Sequence, residues 1–122
     1  MRAKILNASA GSGKTYQLAY KYVRDVIDQP GLYRHILAVT FTNKATEEMK
    51  SRILKEIHRL ASGGASPYLG NLCRELSLDE RSVRKRAAEV RSKILHDYSR
   101  FTVLTIDTFF QRILRAFLKE LG

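Results

Sequence analysis

The sequence predicts an α/β fold, a partial parallel sheet flanked by helices. Two observations carry that expectation. Three short runs of apolar and β-branched residues, Lys4–Ala8, Ile36–Phe41 and Thr102–Ile106, punctuate the 122-residue chain, and each is followed by a helical pattern. A Gly-Ser-Gly-Lys stretch stands between the first run and its helix. Strands that alternate with helices pair in parallel, because each helix returns the chain to the edge where the next strand starts.

The elements follow in order. After the first strand, residues Thr15 to Ile27 repeat Leu18, Tyr22 and Val26 at four-residue spacing, and Gln29-Pro30-Gly31 breaks that helix. After the second, Thr42 or Asn43 caps a helix whose apolar face is Met49, Ile53, Ile57 and Leu60. The glycine- and serine-rich segment Ser62 to Pro67 ends it. Ser77 and Glu80 stand at capping-box spacing before a helix with Val83, Ala87, Val90 and Ile94 on one face. After the third strand, Phe109, Ile113, Leu114, Phe117 and Leu121 mark a terminal helix. Residues 1–122 therefore read as one partial domain, with a helical segment at about 62–100 layered onto the sheet.

Composition narrows the function classes. The chain is 44% hydrophobic and 28% charged, and 22 Lys and Arg against 12 Asp and Glu give a net charge of +10. That surplus favours a polyanionic partner, nucleic acid first. Its densest stretch has Arg81, Arg84, Lys85, Arg86, Arg91 and Lys93 against Glu89, and reads as a solvated helix face with ordinary surface ion pairs. A single cysteine, Cys73, excludes an intrachain disulfide, and neither a signal peptide nor a membrane span is evident, so a cytoplasmic protein with no membrane partner is expected. His35, His58 and His96 have no Cys or His neighbours at ligand spacing, which argues against a metal role.

Ala8-Ser9-Ala10-Gly11-Ser12-Gly13-Lys14-Thr15 is a P-loop octet, with Ala8 in place of the usual first glycine. The residue types follow from the chemistry of phosphate. Glycines let the backbone curl until successive N–H groups point at phosphate oxygens, and the helix that follows adds unpaired N–H groups and a positive dipole end. Lys14 is expected to bring a positive charge to the β- and γ-phosphates of ATP, and the Thr15 hydroxyl to ligate Mg²⁺.

The octet resembles the first motif of the UvrD/Rep branch of superfamily 1 helicases, above all its RecB and AddA members. Val39-Thr40-Phe41-Thr42-Asn43-Lys44-Ala45-Thr46-Glu47-Glu48-Met49 is similar to that family's motif Ia. Thr105-Ile106-Asp107-Thr108-Phe109-Phe110-Gln111-Arg112-Ile113-Leu114-Arg115 looks like the next motif, which touches single-stranded DNA. The resemblance implies a RecA-like P-loop fold, the N-terminal part of helicase domain 1A, in an ATP-dependent DNA helicase or helicase–nuclease. It implies ATP and Mg²⁺ as cofactors, with Lys14 and Thr15 in catalysis and residues 8–15 holding the nucleotide. It places Thr40, Phe41, Thr42, Asn43, Lys44 and Thr105 along single-stranded DNA. Hydroxyls, an amide and helix-start N–H groups suit backbone phosphates, and Phe41 suits stacking on a base.

The sequence also departs from that family. Asp107 stands where His is common, Tyr16 where UvrD has Arg, and no glutamine upstream of the octet is evident to read adenine. No apolar strand ends in Asp-Glu, and Leu78-Asp79-Glu80 sits at a helix start instead. The acidic pair and the second RecA-like domain with its arginine finger are therefore expected elsewhere in a longer protein, and the 122-residue chain alone is expected to be inactive. Two alternatives stay open. A small P-loop phosphotransferase, a nucleotide or metabolite kinase, would use Val103-Leu104-Thr105-Ile106-Asp107 as a strand ending in a Mg²⁺-binding carboxylate. A non-catalytic nucleic-acid-binding module would leave the P-loop without a purpose.

Overall fold

The computed structural model describes the backbone of residues 4–8 and 12–121, and side chains from residue 16 to residue 121. Three strands, β1 (Lys4–Ala8), β2 (Ile36–Thr40) and β3 (Thr102–Thr105), form a parallel sheet in the order β1-β2-β3. Five α-helices connect and follow them: α1 (Ser12–Asp28), α2 (Asn43–Ala61), α3 (Leu69–Leu76), α4 (Glu80–His96) and α5 (Ile106–Leu121). The strand expectations hold to within one residue. Phe41 and Ile106 fall just past β2 and β3, and Ile106 already opens α5.

The central strand β2 has neighbours on both edges and is buried along nearly its whole length, which is why Ile36-Leu37-Ala38-Val39 reads as a continuous apolar run. Against the sheet, α1 buries Ala19, Tyr22, Val23, Val26 and Ile27 at the three- and four-residue spacing of one helical face. Met49, Ile53, Ile57 and Leu60 do the same for α2, and Val83, Ala87, Val90 and Ile94 for α4. Helices α1, α2 and α4 pack on one another and share one apolar core with β2 and β3. Among the described residues no helix is long and apolar enough to cross a membrane.

Two local expectations need correction. Residues 69–76, given no boundaries of their own within the helical segment at about 62–100, form α3, whose Leu69, Leu72, Cys73 and Leu76 face the core across only two turns. Ser77 does not cap α4. It closes α3 in the left-handed conformation (φ 54°, ψ 45°), while the Leu78 N–H bonds the Cys73 carbonyl at 3.1 Å. Asp79 caps α4 instead, its carboxylate accepting from the Ser82 N–H at 2.8 Å.

The basic stretch on α4 differs from a merely solvated face. Arg84 Nη1 lies 3.4, 3.1 and 3.0 Å from the carbonyls of Arg59, Leu60 and Gly64, at and just past the end of α2, where carbonyls lack partners within the helix. Arg86 Nη1 reaches the carbonyls of Ile27 and Asp28 at 3.3 and 3.0 Å, where α1 ends. These two guanidiniums complete helix C-termini by charge-assisted bonds. Lys85, between them, is exposed.

Helix α5 stands apart from the core. It touches β3 and β2, buries none of its residues, and leaves Phe110, Ile113, Leu114, Phe117, Leu118 and Leu121 at 49% exposure or more.

Candidate nucleotide and nucleic-acid site

The register of the sheet aligns its C-terminal edge. Ala8 pairs with Thr40, and Thr40 with Thr105, so the three strands end in one row. Each strand then delivers the N-terminus of a helix from that row. Helix α1 starts at Ser12, α2 starts at Asn43 after Phe41 and Thr42, and α5 starts at Ile106 directly. Open parallel sheets bind ligands outside the carboxyl ends of their strands, where helix N–H groups and positive dipole ends collect. The first turns of α1 and α2 hold no acidic residue to neutralise that potential, whereas the first turn of α5 carries Asp107, which is exposed.

Of the P-loop octet, Ser9, Ala10 and Gly11 lie outside the described residues, as do the side chains of Ala8, Ser12, Lys14 and Thr15. Their backbone frame is described. β1 ends at Ala8, and residues 12–15 form the first turn of α1, whose N–H groups have no partner within the helix. Such unpaired N–H groups at a helix start are the kind of donors that an anion takes. Mg²⁺ would then be held through the Thr15 hydroxyl.

The segment after β2 is built by threonines. Thr42 caps α2, its hydroxyl accepting from the Ala45 N–H at 3.0 Å. Thr40 Oγ1 lies 2.6 Å from Thr46 Oγ1, 3.2 Å from the Thr42 carbonyl and 3.4 Å from the Leu104 carbonyl of β3. With Thr40 only 1% exposed, its hydroxyl is committed to protein partners. Its side chain therefore helps position the segment. Phe41 is 49% exposed, and Thr42, Asn43 and Lys44 are exposed beside it. An aromatic ring, a hydroxyl, an amide and an ammonium therefore project together from the start of α2. Thr105 Oγ1 caps α5, 3.3 Å from the Thr108 N–H and 3.0 Å from Thr108 Oγ1. Phe109 is half-buried and Phe110 is 60% exposed.

Sequence reasoning missed the part played by Thr46. It carries no signature beyond its four-residue spacing from Thr42, yet its hydroxyl joins Thr40 to the Thr42 carbonyl, at 3.1 Å from the latter.

This arrangement has relatives. The model of the UvrD/REP helicase N-terminal domain matches residues 2–122. The RecBCD enzyme subunit RecB of Escherichia coli (strain K12) is 31% identical over 98% of this chain and 11% of its own length. RecB of Chlamydia trachomatis is 32% identical over 80% of this chain, again 11% of its own length. An ATP-dependent helicase/nuclease subunit from Acetivibrio thermocellus is 34% identical over 63% of this chain and 6% of its length. The chain thus spans about a tenth or less of the curated relatives it matches. No solved structure matches it. With a family match along almost its whole length and a relative 31% identical over 98% of it, this chain belongs to the UvrD/REP helicase N-terminal domain family.

Proposed function

We propose that this chain is the ATP-binding, DNA-contacting N-terminal part of a RecA-like domain 1A, in an ATP-dependent DNA helicase or helicase–nuclease that moves along single-stranded DNA. The observation that carries the reading is the row Ala8–Thr40–Thr105, which sets the P-loop, motif Ia and the following motif on one sheet edge. In this reading residues 8–15 wrap the ATP phosphates, Lys14 neutralises charge on the β- and γ-phosphates, and Thr15 orients Mg²⁺. The metal supplies charge neutralisation across the phosphates. Phe41 stacks on a base, while Thr42, Asn43 and Lys44 hold the backbone beside it. Thr40 and Thr105 set the positions of those groups by their hydrogen bonds.

The kinase alternative loses its main support. It needs Asp107 at the end of a strand, but β3 stops at Thr105 and Asp107 lies exposed in the first turn of α5. Nor does a kinase use the exposed cluster Phe41–Lys44.

Titration with labelled ATP and Mg²⁺ tests the phosphate site: Lys14→Ala weakens binding, and equal affinity in the two proteins refutes the assignment. Fluorescence anisotropy with single-stranded DNA tests the other half. There log K falls with log salt by about 0.7 per phosphate contact, and Thr42→Ala with Lys44→Ala costs more than removing one charge elsewhere. ATP turnover by this chain alone stays at background. An arginine finger contributes about 10³–10⁵ in rate to such enzymes, and the resemblance puts both it and the acidic pair elsewhere in a longer protein. Robust phosphate release that Lys14→Ala and Asp107→Asn each abolish would restore the kinase.

A further inference from the structure

A closed circuit of side chains lies just behind the P-loop helix start. Its first member is Tyr16, the residue after Thr15. The Arg52 guanidinium of α2 stands 5.3 Å from the centre of the Tyr16 ring, within cation–π range. Arg52 Nη1 also pairs with Glu56 Oε2 at 3.4 Å, one helical turn on. Glu56 is fully buried and accepts from Arg59 at 3.3 Å and from the Ser66 hydroxyl at 2.9 Å. Ser66 Oγ accepts in turn from the Tyr68 N–H at 3.2 Å. Tyr68 closes the circuit: its hydroxyl donates to the Tyr16 carbonyl at 2.9 Å, and its ring meets the Tyr16 ring edge-on with centroids 5.1 Å apart.

Such a circuit is costly to build. A carboxylate with no exposure is tolerated only when its acceptor sites are filled, and here two guanidiniums and a hydroxyl fill them. Tyr68 is only 1% exposed, and burial raises its phenol well above the ordinary range, so it stays a neutral donor. The core alone does not demand this wiring, because α2 already packs against α1 through apolar residues. What the circuit adds is a polar, directional tie between one residue of α1 and the body of α2. Helix α2 begins at the exposed Phe41–Lys44 segment, and Arg52 stands roughly 15 Å further along its axis at 1.5 Å per residue. Rigid secondary elements are among the structures that carry coupling between separated sites.

We propose that Arg52 and Tyr68 are positioning residues that couple the two halves of the site, so that a nucleic-acid strand at the start of α2 alters phosphate binding at the start of α1. The inference rests on the reading of the P-loop as the phosphate site. Neither residue touches a ligand. They act through Tyr16, which carries the orientation of the first turn of α1.

The test is a calorimetric titration of this chain with inorganic triphosphate and Mg²⁺, with and without saturating oligothymidylate. In the wild type the oligonucleotide changes the triphosphate Kd by at least about fivefold, and the reverse titration returns the same factor, because coupling is reciprocal. In Arg52→Ala and in Tyr68→Phe the factor falls to within about twofold of unity. Arg52→Lys keeps a cation over the Tyr16 ring and retains most of the factor. Tyr68→Phe removes one hydroxyl and keeps the ring packing, so it tests the tie even where Arg52→Ala unfolds. An unchanged factor in both Arg52→Ala and Tyr68→Phe overturns the proposal, including where melting temperature drops, since that is what a purely structural role gives. A factor of unity in the wild type overturns it too. If the wild type binds no triphosphate, or binds it as Lys14→Ala does, the P-loop reading itself fails, and that is visible before any coupling is measured.

Discussion

Replacing Arg84 by alanine separates structural charge from ligand-binding charge on α4. One guanidinium nitrogen of Arg84 serves the carbonyls of Arg59, Leu60 and Gly64 at 3.0–3.4 Å, with the side chain 20% exposed. A nitrogen with two protons makes at most two good bonds at once, and hydrogen bonds to charged groups contribute about 1.5–3 kcal/mol each before water replaces part of them. The Nε contact to Glu80 at 3.1 Å adds little, because Glu80 is 64% exposed and such pairs contribute about 0.3–0.5 kcal/mol. Arg84→Ala should therefore cost about 2–3 kcal/mol, since the end of α2 loses its partners and water reaches only some of them. Arg86→Ala, which releases two carbonyls at the end of α1, should cost about 1–2 kcal/mol. The exposed Lys85→Ala should fall within about 0.5 kcal/mol of wild type. Urea unfolding followed by far-ultraviolet circular dichroism measures all three, and anisotropy with single-stranded DNA on the same proteins supplies the contrast. Stability within about 0.5 kcal/mol of wild type for Arg84→Ala would refute the capping role. A loss of DNA affinity larger than that of Lys85→Ala, at unchanged stability, would instead assign the stretch a role in binding nucleic acid.

Two further outcomes follow from single side chains. The Tyr22 hydroxyl is buried without a hydrogen-bond partner among the described residues, and burial pushes its phenol up. Tyr22→Phe keeps the edge-on contact with Phe101, centroids 5.5 Å apart, and should leave stability equal or raise it by about 1 kcal/mol; a loss of that size in urea unfolding refutes the assignment. The Ser82 hydroxyl and N–H hold the Asp79 carboxyl below the usual carboxylate range. A depressed folded pKa contributes stability that is present above the unfolded pKa and is lost as pH falls through the folded one. Asp79→Ala should accordingly lower the urea midpoint at neutral pH, and the gap to wild type should close in acid; a gap that persists below the lowered pKa contradicts the cap.

Much of this fold is legible in the sequence because its strands are parallel and the central one is buried. Ile36-Leu37-Ala38-Val39 advertises itself by unbroken apolarity, and Thr42 by its place before an apolar stripe. Helix α3 escapes because eight residues give too short a stripe to stand out beside Pro67, and Ser77 has the letter of a helix start although it is a stop. The duties of Arg84 and Arg86 are illegible for a different reason. Their partners are backbone carbonyls at the ends of other helices, and a carbonyl has no letter in the sequence. For the site, the exposed set Phe41–Lys44 is readable from motif and spacing, but the burial of Thr40 is not. Thr46 of α2 and Leu104 of the third strand meet its hydroxyl, and neither contact is marked in the sequence.

The alignment of Ala8, Thr40 and Thr105 also has a temporal side. Neighbours in that row are far apart in the chain, and each parallel pairing must wait for an intervening helical crossover to be made and packed. During synthesis the octet precedes both later strands, and β2, the neighbour of β1, keeps a bare edge until β3 arrives. A nascent chain stopped before residue 102 would therefore hold the octet's letters without the frame that aims them. Binding competence should switch on late and all together, as the last strand docks, and not accumulate piece by piece.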